Sequence, residues 1–369
     1  MGELVELVGR SLAETTREEF EARVREQAAD LVEEIEAGQF DSPGFAVGLE
    51  LEVYAVDNEG RLAALPDGVF ETCNKELGCH NAELNTPPSP FDAAGLAEQA
   101  DAIQQAVADA RAAARQEGLE LALDGMWTIP PAEGTPAYLS AVEAVDDVSI
   151  ASNMQRNARY WALDNSVLAS GSGRVELDLP GYSGAYPTIL PESLTSSIQP
   201  HLQVPTAAEF PRYYNIALRT MAPILALATN SPFLPADLYE AGADPEELMA
   251  DGYHELRIPV FEQSVNAGAE KVRFPLDIDR ATDIVTRNEA DATRAPFLRE
   301  WVESDPPAGL GDRIWEFDHK RGTYWRWLRG IAGGQPVGEG TERSLRLEYR
   351  PIPTQPTVVD TIGLQWLTV

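Results

Sequence analysis

Lysine, cysteine and histidine are scarce in this chain, and acidic residues far outnumber basic ones. The 369 residues include three lysines, two cysteines and four histidines, and the net charge is −32. A field of this sign repels nucleic acid and anionic membranes, so we expect neither as a partner. The two cysteines, Cys73 and Cys79, lack the spacing of zinc ligands, and we expect free thiols in a reducing compartment.

The sequence also lacks the motifs of several large enzyme classes. It contains no GxxxxGK[ST] phosphate loop, no GxGxxG between a strand and a helix, no GxSxG and no HExxH. It has no run of about eighteen apolar residues, the length that a membrane span requires. The first residues show no basic region followed by an apolar core, so we expect no signal peptide and a cytoplasmic location.

Acidic residues dominate the composition. The chain has 60 acidic and 28 basic residues, and the acids are spread through predicted helices and loops instead of being gathered in a tail. Spread acidity with little lysine is typical of the cytosolic proteins of extreme halophiles, whose carboxylates stay hydrated in concentrated salt. At low ionic strength the same charges repel one another with little screening.

Helical and strand-like patterns follow one another irregularly along the chain. The N-terminal pattern predicts one helix that continues to about Gly38, with Thr16 as its cap. Further helices are predicted over residues 92–118, 148–165, 208–229, 281–302 and 312–330, and after Pro356. Predicted strands cover residues 45–56, 61–65, 81–86, 119–124 and 345–350. Because regular βαβ alternation is absent, we predict an α+β fold with an antiparallel sheet.

Polar side chains that can bind metal recur two residues apart in four short segments. These segments are Gly48-Leu-Glu50-Leu-Glu52, Asn81-Ala-Glu83-Leu-Asn85, His201-Leu-Gln203 and Arg346-Leu-Glu348-Tyr-Arg350. Since side chains on a strand alternate between its two faces, the polar residues of each segment share one face and the apolar residues line the other. If the strands pair in one sheet, its polar face has the composition of a magnesium–phosphate site.

A half-solvated antiparallel sheet would show the same alternation of apolar and charged residues. With 60 acids among 369 residues, about ten acidic pairs at this spacing are expected by chance. Solvated faces usually mix threonine, lysine, serine and arginine, whereas Asn81 and Asn85 carry amides and Gly48 has no side chain. The spacing alone leaves both interpretations open.

The same segments, with others between them, resemble the motifs of a known enzyme family. Gly48-Leu-Glu-Leu-Glu52 resembles the G-x-E-x-E strand of the glutamate–cysteine ligase and carboxylate–amine ligase family, whose members have a glutamine-synthetase-like fold. The most specific resemblance is that of Pro223-Ile-Leu-Ala-Leu-Ala-Thr-Asn-Ser-Pro-Phe233 to the family's P-x-L-x-A-L-x-A-N-S-P-F helix end. The other matching segments, in the family's order, are Glu83-Leu-Asn-Thr-Pro87, Leu123-Asp-Gly-Met-Trp-Thr-Ile-Pro130, Arg159-Tyr-Trp-Ala-Leu163, His201-Leu-Gln203-Val, Glu255-Leu-Arg257, Gly322-Thr-Tyr-Trp325 and Leu347-Glu-Tyr-Arg350.

The resemblance implies a carbon–nitrogen ligase that depends on ATP and Mg²⁺. Residues 41–369 would form its catalytic domain, with an antiparallel sheet whose polar face binds metal and whose other face packs against helices, and residues 1–40 would form a helical extension. Such an enzyme converts the γ-carboxylate of glutamate to an acyl phosphate, and an amine then displaces phosphate to form an amide. Cysteine is the first-choice amine. The expected partners are these small molecules, and homo-oligomer formation is left open.

The resemblance also implies roles for particular residues. The implied metal ligands are Glu50, Glu52, Glu83 and Glu348. Glu76 is a weaker candidate, for which a solvated loop acid is the simpler interpretation. His201 and Gln203 would complete the metal shell or contact the nucleotide phosphates. Arg350 and Arg257 would stabilise the acyl phosphate or bind the substrate carboxylate.

Three positions depart from the family pattern. Gln203 stands where the family has a second histidine, Pro205 where it has a glycine, and Glu255 where it has a serine. The substitutions at Gln203 and Pro205 motivate an alternative in which a catalytically silent member binds a metabolite or a protein partner. A hydrolase that works with two carboxylates and no nucleotide is a third interpretation.

The first prediction concerns salt. Transfer from molar KCl to millimolar buffer should unfold the protein, because the net charge of −32 is then poorly screened. Far-UV circular dichroism and the melting temperature measure the effect across the KCl series. A spectrum and a melting temperature that do not change with salt would contradict the halophilic interpretation.

Overall fold

An antiparallel sheet carries all four of the polar segments. The computed structural model describes residues 2–266, 270–303, 305–306 and 308–369. The strands are β1 (Ala46–Val56), β2 (Asn74–Lys75), β3 (Asn81–Asn85), β4 (Ser89–Pro90), β5 (Glu120–Ala122), β6 (Val142–Val145), β7 (Val148–Ala151), β8 (Val175–Leu179), β9 (Tyr182–Tyr186), β10 (Ile198–Val204), β11 (Leu328–Ala332) and β12 (Leu345–Tyr349). The main sheet has the order β11-β12-β10-β1-β3-β2, and β4 and β5 also pair with β1.

Helices cover much of the rest of the chain. They are α1 (Gly2–Ser11), α2 (Glu14–Glu36), α3 (Ala93–Gln116), α4 (Thr135–Ser140), α5 (Ala158–Ser170), α6 (Phe210–Ala228), α7 (Pro245–Asp251), α8 (Arg257–Val265), α9 (Asp283–Ala290), α10 (Gly309–Arg313), α11 (Trp315–Gly322) and α12 (Val358–Thr368). Two small hairpins, β6–β7 and β8–β9, lie outside the main sheet. The predicted α+β class with an antiparallel sheet is confirmed.

The apolar face of the sheet packs against three helices. Leu49, Leu51 and Val53 of β1 are buried in the hydrophobic core together with Ile103 and Val107 of α3. Helix α3 packs along β1, helix α6 along β11 and β12, and helix α12 contacts both α3 and α6. Asp92 caps α3, because its side chain accepts hydrogen bonds from the backbone N–H groups of residues 94 and 95. The polar face is therefore the side of the sheet that is available for a site.

The N-terminal region differs from the prediction of a single helix capped by Thr16. The chain breaks between α1 and α2, Ala13 precedes α2, and Thr16 is buried inside the second helix. Both helices contribute to the same hydrophobic core as the sheet. The division into an extension of residues 1–40 and a domain of residues 41–369 stays a prediction. In the described part of the chain, no helix combines the length and the apolar character that crossing a bilayer requires.

The predicted secondary structure is wrong in four other segments. Residues 148–151 form β7 instead of a helix, because β-branched Val148 and Ile150 pair with β6 across a turn in which Asp146 and Asp147 have positive φ. The helix predicted over 281–302 ends at Ala290. The helix predicted over 312–330 ends at residue 322, and the apolar residues that follow form edge strand β11. The strand predicted over 61–65 is reduced to one bridge, between residues 56 and 62.

Candidate active site

The register of the main sheet brings the polar segments side by side. The facing residues of neighbouring strands are Glu50 and Asn85, Glu52 and Glu83, Gly48 and His201, and His201 and Glu348. Because each polar residue lies two positions from the next along its own strand, all of them project from the same face. Residues from four strands, separated by up to three hundred positions in sequence, therefore meet on one surface.

The first cluster consists of Glu50, His201 and Glu348, whose ligand atoms all lie within 4.8 Å of one another. His201 Nε2 is 3.2 Å from Glu50 Oε1. Glu348 is 1% exposed, and its Oε1 lies 2.6 Å from both Arg329 Nη2 and Arg350 Nη1. Burial alone would raise the pKa of Glu348, but Arg329 and Arg350 hold it well below its ordinary value. Glu348 is therefore ionised and could serve as an oxygen ligand.

The second cluster consists of Glu52, Glu76 and Glu83, again with ligand atoms within 4.8 Å of one another. Glu52 accepts hydrogen bonds from the backbone N–H of Ser197 at 2.6 Å and from Nε2 of Gln199 at 2.8 Å. Glu76 follows the short strand β2 and is half-buried beside the other two carboxylates, not a fully solvated loop acid. The four predicted carboxylate ligands are thus divided between two clusters, and Glu76 completes the second one.

Crowding raises the pKa values of the second cluster. Burial, and then the charges of Glu50 and Glu52, raise the pKa of Glu83 to about 8. Burial, followed by Glu83 and Glu52, raises the pKa of Glu76 well above its ordinary value. Like charges in a buried site favour protonation unless a cation compensates them. The arrangement fits a divalent cation, because Mg²⁺ prefers carboxylate oxygens and would neutralise the repulsion between them.

Two adjoining cavities open on this face of the sheet, and both contact Glu50. The first has a volume of about 210 Å³, and its wall includes Gly48, Thr86, His201, Gln335, Ser344 and Arg346. The second has a volume of about 240 Å³, and its wall includes Glu52, Glu76, Glu83, Arg159, Arg329, Arg350 and Trp325. The two clusters therefore lie where small molecules could reach them.

The other predicted residues lie in different surroundings. Gln203 lines the first cavity, where its Nε2 donates to the carbonyl of Gly44 at 3.0 Å. Arg350 lines the second cavity and donates to Gln199 as well as to Glu348. Arg257 lies in the wall of neither cavity, although its charge acts to lower the pKa of Glu52, which burial raises.

The surroundings of Arg257 differ from the predicted contact with substrate. The residue is 1% exposed and absent from the described walls of both cavities. It donates to the carbonyl of Pro351, lies 3.4 Å from Glu255 and packs over the ring of Trp327. This is the environment of a buried structural arginine, which holds the segment after β12 against α8.

Four residues of the site were missed in the sequence. Arg329 was missed because its strand, β11, falls within a predicted helix. Gln199 lies two residues before His201 on the same face, so the period-two pattern could have found it. Glu192 and His319 also line the second cavity, but they come from a short helical turn and from α11, where no sequence pattern points to a site.

Comparison with known families agrees with this geometry. The model of glutamate–cysteine ligase family 2 matches residues 46–366, which include both clusters. The chain belongs to this family. The resemblance found in the sequence is therefore confirmed at the level of the glutamate–cysteine ligase family. No curated protein sequence matches the chain significantly.

Two solved structures are similar to this member of glutamate–cysteine ligase family 2. Glutamate–cysteine ligase from Francisella tularensis, in complex with AMP, is 14% identical with a TM-score of 0.44, over 85% of this chain and 62% of that one. A bifunctional glutathione synthetase from Pasteurella multocida is 13% identical with a TM-score of 0.48, over 88% of this chain and 38% of that one. The chain thus spans less than two thirds of the length of either protein.

The second prediction tests the second cluster. Mg²⁺ should raise the melting temperature of the wild type, and Glu83→Gln should lose most of that rise because one ligand charge is gone. The pKa of Glu83 is raised to about 8, so its ionisation destabilises the fold progressively as pH rises from the ordinary carboxyl range, near 4, to 8. Without Mg²⁺, Glu83→Gln should therefore be more stable than the wild type above pH 8.

Thermal melts with and without Mg²⁺, at high KCl, measure both effects. Glu176→Gln is the matched control, because Glu176 is exposed on β8 and the same change there should alter neither quantity. An equal Mg²⁺ effect in wild type and Glu83→Gln would remove Glu83 from the ligand set.

Proposed function

We propose that this protein is an ATP- and Mg²⁺-dependent carboxylate–amine ligase. In the proposed reaction the γ-carboxylate of glutamate attacks the terminal phosphorus of ATP, and ADP leaves. The amine of a second substrate then attacks the acyl carbon, an amide bond forms and inorganic phosphate leaves. Cysteine is the first-choice amine, which gives γ-glutamylcysteine.

The observation that carries the proposal is the pair of acidic clusters on one sheet face, between two adjoining cavities. A hydrolase with two carboxylates needs one pair of acids, whereas this face has two groups of three ligand-bearing side chains. When bound, divalent ions would bridge and neutralise phosphate oxygens during transfer. Membership of glutamate–cysteine ligase family 2 supports the same class of reaction.

The protein's own residues would hold these ions and keep them apart. In the first cluster His201 Nε2 is buried 3.2 Å from Glu50 Oε1 without hydrogen-bonding geometry, and in its unprotonated form it would serve as a metal ligand beside that carboxylate. In the second cluster, hydrogen bonds from Ser197 and Gln199 fix the orientation of Glu52. Preformed ligands of this kind lower the cost of binding the ions.

The two cavities differ in a way that suggests how substrates would be divided. The wall of the first is mostly uncharged apart from Glu50 and Arg346, which suits a nucleoside whose phosphates point toward the clusters. The wall of the second contains Arg159, Arg329 and Arg350 together with five glutamates, so it suits an acidic substrate when metal ions offset the charge of those carboxylates. We therefore place ATP in the first cavity and glutamate in the second.

A catalytically silent member that binds a metabolite is the second candidate. The observation that favours it is Gln203, which stands where the family has a histidine and whose amide is already hydrogen-bonded to the backbone of Gly44. Such a protein would keep the cavities but would not turn over ATP.

The third prediction separates these candidates. A coupled ADP-release assay in high KCl, with glutamate and a panel of amines, should show ADP formation that requires glutamate, Mg²⁺ and an amine, with cysteine the best. Glu83→Gln should abolish this turnover, and Glu176→Gln should leave it unchanged. Glu83 is a cleaner choice than Glu348, because neutralising Glu348 would leave two half-buried arginines without their carboxylate. Glutamate binding without ADP release in any condition would favour the silent member.

The fourth prediction concerns Arg350. Lysine cannot reproduce the planar, two-pronged contact of a guanidinium with a phosphoryl group or a carboxylate. Arg350→Lys should therefore lower kcat on the order of a hundredfold, with a smaller change in KM for ATP. Arg219→Lys is the control. Arg219 lies on α6, which packs on the apolar face of the sheet, and it forms an exposed pair with Asp277. Steady-state kinetics that give a near-wild-type kcat would exclude Arg350 from the site.

A further inference from the structure

Glu192 lies in the wall of the second cavity but outside both acidic clusters. It belongs to the helical turn Leu190–Leu194, which leads into β10. Its Oε2 is buried and has no hydrogen-bond partner among the described residues. The carboxylates that form the second cluster lie within 4.8 Å of one another, and Glu192 is not one of them. This acceptor therefore remains free after the proposed metal ligands have been assigned.

His319 supplies a second free acceptor in the same cavity. Its ring is 3% exposed and stacks on Trp315, with Phe20 and Phe297 packed around it. Nε2 lies 2.7 Å from the carbonyl of Ala295, and because a carbonyl only accepts, Nε2 carries the proton. Nδ1 is then an acceptor, and the described residues give it no donor. Burial, and then the nearby charge of Arg159, lower the pKa of His319 to about 3, so the ring is neutral at physiological pH.

The same cavity also presents a cation without an acidic partner. Arg159 is the second residue of α5 and lines the cavity. No described carboxylate lies within 4.0 Å of its guanidinium. One free cation and two free acceptors in a single cavity are complementary to a molecule that carries both a carboxylate and an ammonium group.

We propose that Glu192 binds the ammonium group of the acidic substrate and thereby makes the site specific for an α-amino acid over a plain dicarboxylic acid. His319 Nδ1 is a second acceptor for donors of the same substrate. The inference rests on the proposed function, and it assigns to Glu192 a role in specificity, separate from metal binding. Burial, and then the charge of Glu52, raise the pKa of Glu192 to about 8, and a bound ammonium group would favour its ionised form. An analogue without the ammonium group leaves this buried acid unpaired, so the site discriminates against it.

The test compares glutamate with glutarate, which has the same two carboxylates and no ammonium group. The wild type should prefer glutamate in kcat/KM, and Glu192→Gln should reduce that preference by about tenfold to a hundredfold. KM for ATP and the dependence on Mg²⁺ should stay as in the wild type. Glu176→Gln, with the same chemical change on exposed β8, should keep the full preference.

Three results would overturn the assignment. The first is an unchanged preference for glutamate in a folded Glu192→Gln protein. The second is a change confined to the Mg²⁺ requirement, which would make Glu192 a metal ligand. The third is equal binding of glutarate and glutamate to the wild type in calorimetry. This measurement does not depend on the folding of the variant. Calorimetry also separates this inference from the proposed function. Selective glutamate binding without ADP release would contradict the proposed ligase activity and leave the role of Glu192 in place.

Discussion

Mutual repulsion among carboxylates on one face of an antiparallel sheet is the force that the rest of the site must offset. The strand register places Glu50, Glu52, Glu83 and Glu348 next to one another and close to the core. Burial strengthens the repulsion, because the effective dielectric constant is lower there than in water. The surrounding cations, backbone donors and cavities can be understood as responses to this crowding.

The two clusters are compensated differently. Around the first, Arg329 and Arg350 both contact Glu348, so the cluster keeps its charge without help from solution. Around the second, the described hydrogen bonds to Glu52 come from a backbone N–H and an amide, neither of which carries a charge. Burial, and then the neighbouring carboxylates, raise the pKa values of Glu76 and Glu83. The second cluster therefore depends more strongly on a cation from solution, and that dependence links its stability to its proposed chemistry.

Much of the fold and of the site could be predicted because the sheet alternates strictly. The pattern of β1, β3, β10 and β12 placed their polar residues on one face, and the register confirms that placement. The edge strand β11 was not predicted, because its short apolar run follows a helix without a strong break. Arg329 was not predicted for the same reason, since its contact with Glu348 depends on pairing between β11 and β12. Glu192 and His319 could not be predicted, since a turn and a helix bring them to the cavity through tertiary packing alone.

We propose that the two clusters each hold a divalent ion on the polar face. Anomalous diffraction from crystals grown in high salt with Mn²⁺ and a non-hydrolysable ATP analogue tests it directly. We expect one peak between Glu50, His201 and Glu348 and a second between Glu52, Glu76 and Glu83. Nucleotide bound without a peak at either cluster, and with Glu348 still held by its two arginines, would contradict it.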